Sequence, residues 1–250
     1  MQTKQHSSWS RRRLAASLVA AALSLMYAGA PLQAQTLQGG SNVAAAGKMQ
    51  QARQAAERDL RQFVAHHTQT KGGSAPAEFP LDVNDVQDLR DAKIDYGFQV
   101  HTVDPTELLA SRTPLRNMIK PSAQWRFVIS LNGKPIGLAT VEEQNGRYDT
   151  VAYGAAVLAK DVDASAAVHG NSDRSNLRFV RIYQAQSDFL EVVSAKDGQA
   201  RYAPLHSARE SLLMQQRALK EGNSADTLIE AQELLGPLKS AVKANVDAFR

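Results

Sequence analysis

The period of apolar and polar positions changes along this chain, and each change marks an element. Between 43 and 70, Ala45, Met49, Ala52, Ala56, Leu60, Phe63 and His67 recur at spacings of three and four, the mark of one helical face. Lys71 to Pro80, KGGSAPAEFP, concentrates glycine and proline and reads as a linker, which makes the helix before it an appendage. From Ile94 to Val103 the period becomes two: Ile94, Tyr96, Phe98 and Val100 alternate with Asp95, Gly97, Gln99 and His101, as in a half-buried strand. Asp104-Pro105-Thr106-Glu107 opens a short helix, with Asp104 as cap, Pro105 at the first position and Glu107 at the positive end of the dipole. Pro114 ends it, and 113 to 124 reads as irregular.

Trp125, Phe127, Ile129 and Leu131 share a strand face, and Asn132-Gly133 turns into a second strand, Ile136 to Glu143. Asn145-Gly146 turns again, into Arg147 to Tyr153. Two Asn-Gly steps so placed predict an antiparallel meander, followed by a helix over Gly154 to Ala164. The pattern recurs 52 residues on: Phe127-Val128 aligns with Phe179-Val180, Leu138 with Leu190, Val141 with Val193, and Asn145-Gly146 with Asp197-Gly198. Duplication and coincidence among common strand residues both account for this. The polar stretch His169 to Asn176 joins the two blocks. From His206 the pattern is helical, with Leu212, Leu213 and Leu219 on one helix and Ser224 capping the next. That last helix carries a stripe of Leu228, Ala231, Leu235, Leu238, Val242, Val246 and Phe249, with Gly236-Pro237 as a kink or restart.

The fold expected is α+β: a mainly antiparallel sheet from two strand-strand-strand-helix blocks, flanked by N- and C-terminal helices. Its divisions are 1–34 as a signal peptide, 35–70 as the amphipathic helix, 71–80 as the linker, 81–211 as the sheet domain and 212–250 as the C-terminal helices.

The N-terminus changes how the charge is read. Arg11, Arg12 and Arg13 precede an apolar run from Leu14 to Ala30, and Leu32-Gln33-Ala34 offers a processing site at Ala34, the layout of an export signal. The run falls short of the roughly 20 residues that span a bilayer, although a retained anchor is a further reading. The chain has 29 Lys and Arg against 25 Asp and Glu, and Lys4 with Arg11 to Arg13 supplies the whole excess. The mature chain is therefore balanced, and the electrostatic case for nucleic acid falls away. Cysteine is absent, which excludes a lipid-anchored cysteine, a disulfide and a thiol nucleophile. No later segment is apolar enough to span a membrane, so the expected location is periplasmic or secreted.

Ser10 to Leu14, SRRRL, resembles a bacterial twin-arginine signal, with Ala15 and Ala16 departing from that pattern; the resemblance implies export in a folded state. An ordinary Sec signal accounts for the same residues.

Motifs for catalysis are lacking. No G-x-S-x-G occurs, and Ser172 beside His169 lies in a polar loop. The histidines after the signal, His66, His67, His101, His169 and His206, form no H-E-x-x-H, and neither Asp82-Val83-Asn84-Asp85 nor Asp161-Val162-Asp163 is a calcium loop. No nucleotide pattern is present, so neither metal nor cofactor is expected. Carboxylates on strands, Glu142, Glu143, Asp149, Asp188 and Glu191, leave open a hydrolase working through a pair.

Binding features are better represented. Trp125, Tyr148, Arg178, Arg181 and Tyr183 sit on the strand blocks and form the expected partner-binding set, by an aromatic surface or an open strand edge. Trp125 to Ala139, WRFVISLNGKPIGLA, followed by Asn145 to Tyr148 and a helix, resembles the strand pattern of exported PepSY-like and protease-propeptide-like domains. The resemblance covers Trp125 to about Ser211 and implies a non-catalytic, partner-binding role in the cell envelope. The function expected is an exported soluble binding or regulatory protein that recognises a protein or peptide. The alternatives are the envelope hydrolase and an assembly factor pairing through its terminal helices.

Overall fold

The computed structural model describes residues 33–69, 73–110, 112–212 and 226–248, with side chains from Val43 onward. Arg11 to Arg13, Lys71, Leu213, Leu219, Ser224 and Phe249 lie outside the described residues, and Ala34 falls in the first turn of a helix. The account below concerns the compact unit Ser41–Arg250.

The chain is α+β, as its periodicities predict. Helix α1 (Gln33–His67) is followed by a short 3-10 turn (Val86–Asp91), then β1 (Lys93–Val103), α2 (Pro105–Ala110), α3 (Leu115–Met118), β2 (Ile119–Leu131), β3 (Lys134–Gln144), β4 (Arg147–Gly154) and α4 (Ala156–His169). The second half holds β5 (Leu177–Ile182), β6 (Ser187–Val193), β7 (Ala200–Pro204), α5 (His206–Ser211), β8 (Ile229–Glu230) and α6 (Ala231–Ala248). One sheet runs β4-β3-β2-β1-β5-β6-β7-β8.

Both meanders form, and β1 joins them. It runs antiparallel to β2 along Lys93–Val103 but parallel to β5 only through Val100, His101 and Thr102. The 52-residue alignment carries over to packing only in part: Leu138 and Leu190 both lie on the α4 side, but the aligned phenylalanines part. Phe127 enters the cluster around α1, whereas Phe179 enters the one around Val162 of α4.

Side-chain alternation along the strands divides the packing into two layers. On one side α4 places Ala159 and Val162 against Val128, Leu138, Phe179 and Leu190. On the other, α1 covers β2 to β4, while α2, α3 and α6 cover β1, β5, β6 and β7 through Leu108, Met118, Leu234, Leu238 and Val242.

Helix α1 is thus part of the core rather than an appendage. Ala52, Ala55, Ala56 and Leu60 are buried against Trp125, Phe127 and Val141. Small side chains thus make up most of the face that α1 buries, and burying Leu60 alone contributes about 1.5–3 kcal/mol. Gly97 fits the same contact, because a Cβ there would run into the Phe127 ring.

Three segments differ from expectation. Residues 115–118 are helical and β2 begins at Ile119, so 113 to 124 is not irregular; Leu115 and Met118 are buried. Ile229 and Glu230 pair with Tyr202 and Arg201 before α6 begins. Helix α6 then continues through Pro237, with Leu234 added to its buried side. Asp104 caps α2 as expected, accepting from the Thr106 and Glu107 amides at 2.9 Å.

Candidate functional site

The short pairing of β1 with β5 leaves the sheet split. Below Val100, the side of β1 that faces β5 has no strand partner among the described residues. Side chains meet two of its carbonyls: Arg53 donates to Ile94 O at 3.2 Å, and His101 Nδ1 lies 3.1 Å from Gln99 O. A cavity of about 270 Å³ occupies the split, near the lower end of ligand-site volumes. Its walls come from both layers: Met49 of α1 on one side, Val162 and Ala166 of α4 on the other.

The partly exposed Phe98 ring forms an aromatic floor, backed by the buried Phe179 ring stacked on it at 4.7 Å and 26°. At the rim, the Arg174 guanidinium lies 3.8 Å above the Tyr96 ring, within cation–π range. Arg174 holds that position from a left-handed backbone, φ 58°. Burial and the nearby Asp163, to which Tyr96 donates at 3.2 Å, push the Tyr96 phenol up from its usual value. It therefore stays neutral.

Beside the cavity, the buried Glu191 accepts from Arg178 Nε at 2.5 Å and from Tyr202 at 3.3 Å, with Arg116 Nε 3.8 Å away. Burial and Glu191 raise the Tyr202 phenol. Arg178 is thereby fixed where it lines the cavity.

His101 closes the fork. Burial lowers its pKa below the ordinary 6.5, Arg178 adds to the effect, and the Gln99 and Phe179 backbones and Glu191 oppose it. The folded chain thus favours neutral His101, so the unfolded chain binds more protons just below pH 6.5. Stability is expected to hold above that pH and to fall as pH drops through the lowered value. His67, lowered by burial and His66, acts in the same direction. Thermal melts across pH 7.5 to 5 should show a smaller slope for His101→Gln than for the native chain. Equal slopes would remove His101 from the explanation.

The residues expected to bind a partner are scattered. Trp125 and Tyr148 lie in the core at 1% and 7% exposure, edge to face at 5.3 Å, so they offer no aromatic surface. Arg181 pairs with Asp188 at 3.0 Å, and Tyr183, 43% exposed, bonds Gln124 at 3.1 Å. Only Arg178 reaches the cavity. Tyr96, Phe98, His101 and Arg174 were not in that set, although the alternation at 94–103 already placed Tyr96 and Phe98 on one face.

The other expected sites are accounted for structurally. Asp188 and Glu191 point to opposite faces of β6, and Glu142 bonds Gln124 while Asp149 meets Arg147. In the 169–176 loop, Asn176 bonds the Asn171 amide and His169 carbonyl, and Asp173 bonds the Ser175 amide. His67 packs on Phe63 and Phe79. Among the described residues no cluster of His, Cys, Asp and Glu suits a metal ion. The faces of α1 and α6 expected of an assembly factor lie against the sheet.

The first half of the outer edge of β4 is covered by α1: Arg58 donates to Tyr148 O at 3.1 Å, and Asp59 accepts from the Thr150 amide at 2.8 Å. An open strand edge lies inside the split.

Comparison with known proteins gives no match, whether to a family model, a curated protein or a solved structure.

Proposed function

We propose that this chain is an exported, non-catalytic binding or regulatory protein of the bacterial cell envelope, and that its ligand is a segment of a protein or peptide. The observation that carries the reading is the unpaired side of β1 bordering an aromatic cavity. An extended segment supplies the backbone groups such an edge lacks, and apolar pockets beside it select side chains. The carboxylates at and beside the cavity support binding over hydrolysis, because Asp173, which lines it, accepts from the Ser175 amide and Glu191 is already engaged by Arg178 and Tyr202. Export rests on Arg11 to Arg13, the apolar run and Ala34. No helix among the described residues is long and apolar enough to cross a membrane.

The absence of cysteine permits a direct test. Met49→Cys, at the cavity, and Val151→Cys, exposed on β4, are each labelled with a bulky maleimide and used to capture partners from envelope extract. A partner kept by labelled Val151→Cys and lost by labelled Met49→Cys is the expected result. Equal capture by both would move the binding site elsewhere. In the same cells, the chain is expected in the envelope fraction beginning at Gln35; a full-length cytoplasmic chain would end the export half of the proposal.

A further inference from the structure

The cavity has an apolar interior and a cation at its mouth. Arg178 is neutralised by Glu191 at 2.5 Å, but Arg174 has no carboxylate partner among the described residues and is held by the Tyr96 ring. A guanidinium resting on an aromatic face is preorganised, and its edge remains free to bind a carboxylate through two hydrogen bonds. Of the acids nearby, Asp173 is turned to the Ser175 amide at 2.9 Å, and Asp163 accepts from the Tyr96 hydroxyl at 3.2 Å.

We infer that the split between β1 and β5 reads the C-terminus of a peptide, with its last apolar side chain against Phe98 and its terminal carboxylate on Arg174. This rests on the peptide-binding reading above and specifies which part of a peptide is read. One feature favours a peptide over a fatty acid. The free side of β1 offers backbone hydrogen bonds that an acyl chain does not return.

The test uses the full chain and two hexapeptide libraries anchored by their N-termini, identical except that one ends in free acids and the other in amides. Enrichment is expected from the free-acid library only, with an apolar last residue. The best free acid should bind roughly 10- to 100-fold more tightly than its amide, the range for a hydrogen bond to a charged group. Arg174→Gln should bring the acid down to the amide's affinity and leave the amide unchanged, and Arg174→Lys should restore part of the difference. Thermal unfolding of both variants should match the native chain, because Arg174 is exposed. Equal enrichment of acids and amides would overturn carboxylate reading while leaving peptide binding intact. Silence from both libraries would overturn the two together, and decanoate binding with silent libraries would assign the cavity to a lipid-like carboxylate instead.

Discussion

Replacing Trp125 by alanine is expected to lower the free energy of unfolding by about 3–5 kcal/mol, the range for emptying an aromatic site in a core. Trp125 is among the largest fully buried side chains, in one cluster with Ala52, Ala55, Ala56 and Leu60 of α1. Those alanines cannot reach into the space an indole leaves, so collapse around the cavity is limited. Urea titration should show a lower midpoint at unchanged slope. A loss below about 1 kcal/mol would mean that α1 does not seal this side of the sheet. The same reasoning makes Trp125→Ala unsuitable as a surface control in a binding experiment, because loss of capture would report loss of folding.

Arg178→Ala is expected to cost about 3–5 kcal/mol, because it leaves a buried carboxylate without its main partner. Glu191 is 1% exposed, and Arg178 holds it at 2.5 Å while Arg116 stands off at 3.8 Å. Tyr202 supplies one hydrogen bond but no charge. The pair itself need not be strongly stabilising, since desolvation offsets much of the attraction. Arg178→Met combined with Glu191→Leu should therefore recover most of what the single change loses. A double-mutant cycle decides this. If the double variant is as unstable as the single one, the network holds the fork of β1 and β5 by geometry rather than by charge.

Local chemistry made much of this fold legible in advance. The two Asn-Gly steps specify turns with positive φ, and Asn132, Gly133, Asn145 and Gly146 all adopt it. The three-four spacing of Ala52, Ala56 and Leu60 identified the buried face of α1 correctly. What it left open was the partner, and a glycine-rich linker after a helix does not show that the helix folds back. The site was less legible because it arises from a pairing that stops. That β1 lies beside β5, and parts from it below Val100, is a property of sheet order, which hydrophobic period does not encode. Trp125 illustrates the converse error: an aromatic residue with a polar tip suits an interface, but the interface it serves is the one between α1 and the sheet. Arg174 lay in a segment whose polarity read as simple connection, and only its seat above Tyr96 distinguishes it.

Arg58 and Asp59 carry a consequence beyond local stability. Together they meet a carbonyl and an amide of β4, as a ninth strand would, from a helix that offers no edge of its own. At Tyr148 and Thr150 the sheet therefore offers no free backbone group for another strand to extend. Damage at this dipeptide should appear less as a lower melting temperature than as dependence on protein concentration: particles that grow with time, seeded by strands that would otherwise have met a helix. The helix that packs on the sheet thus also closes part of its edge, through two adjacent charged side chains.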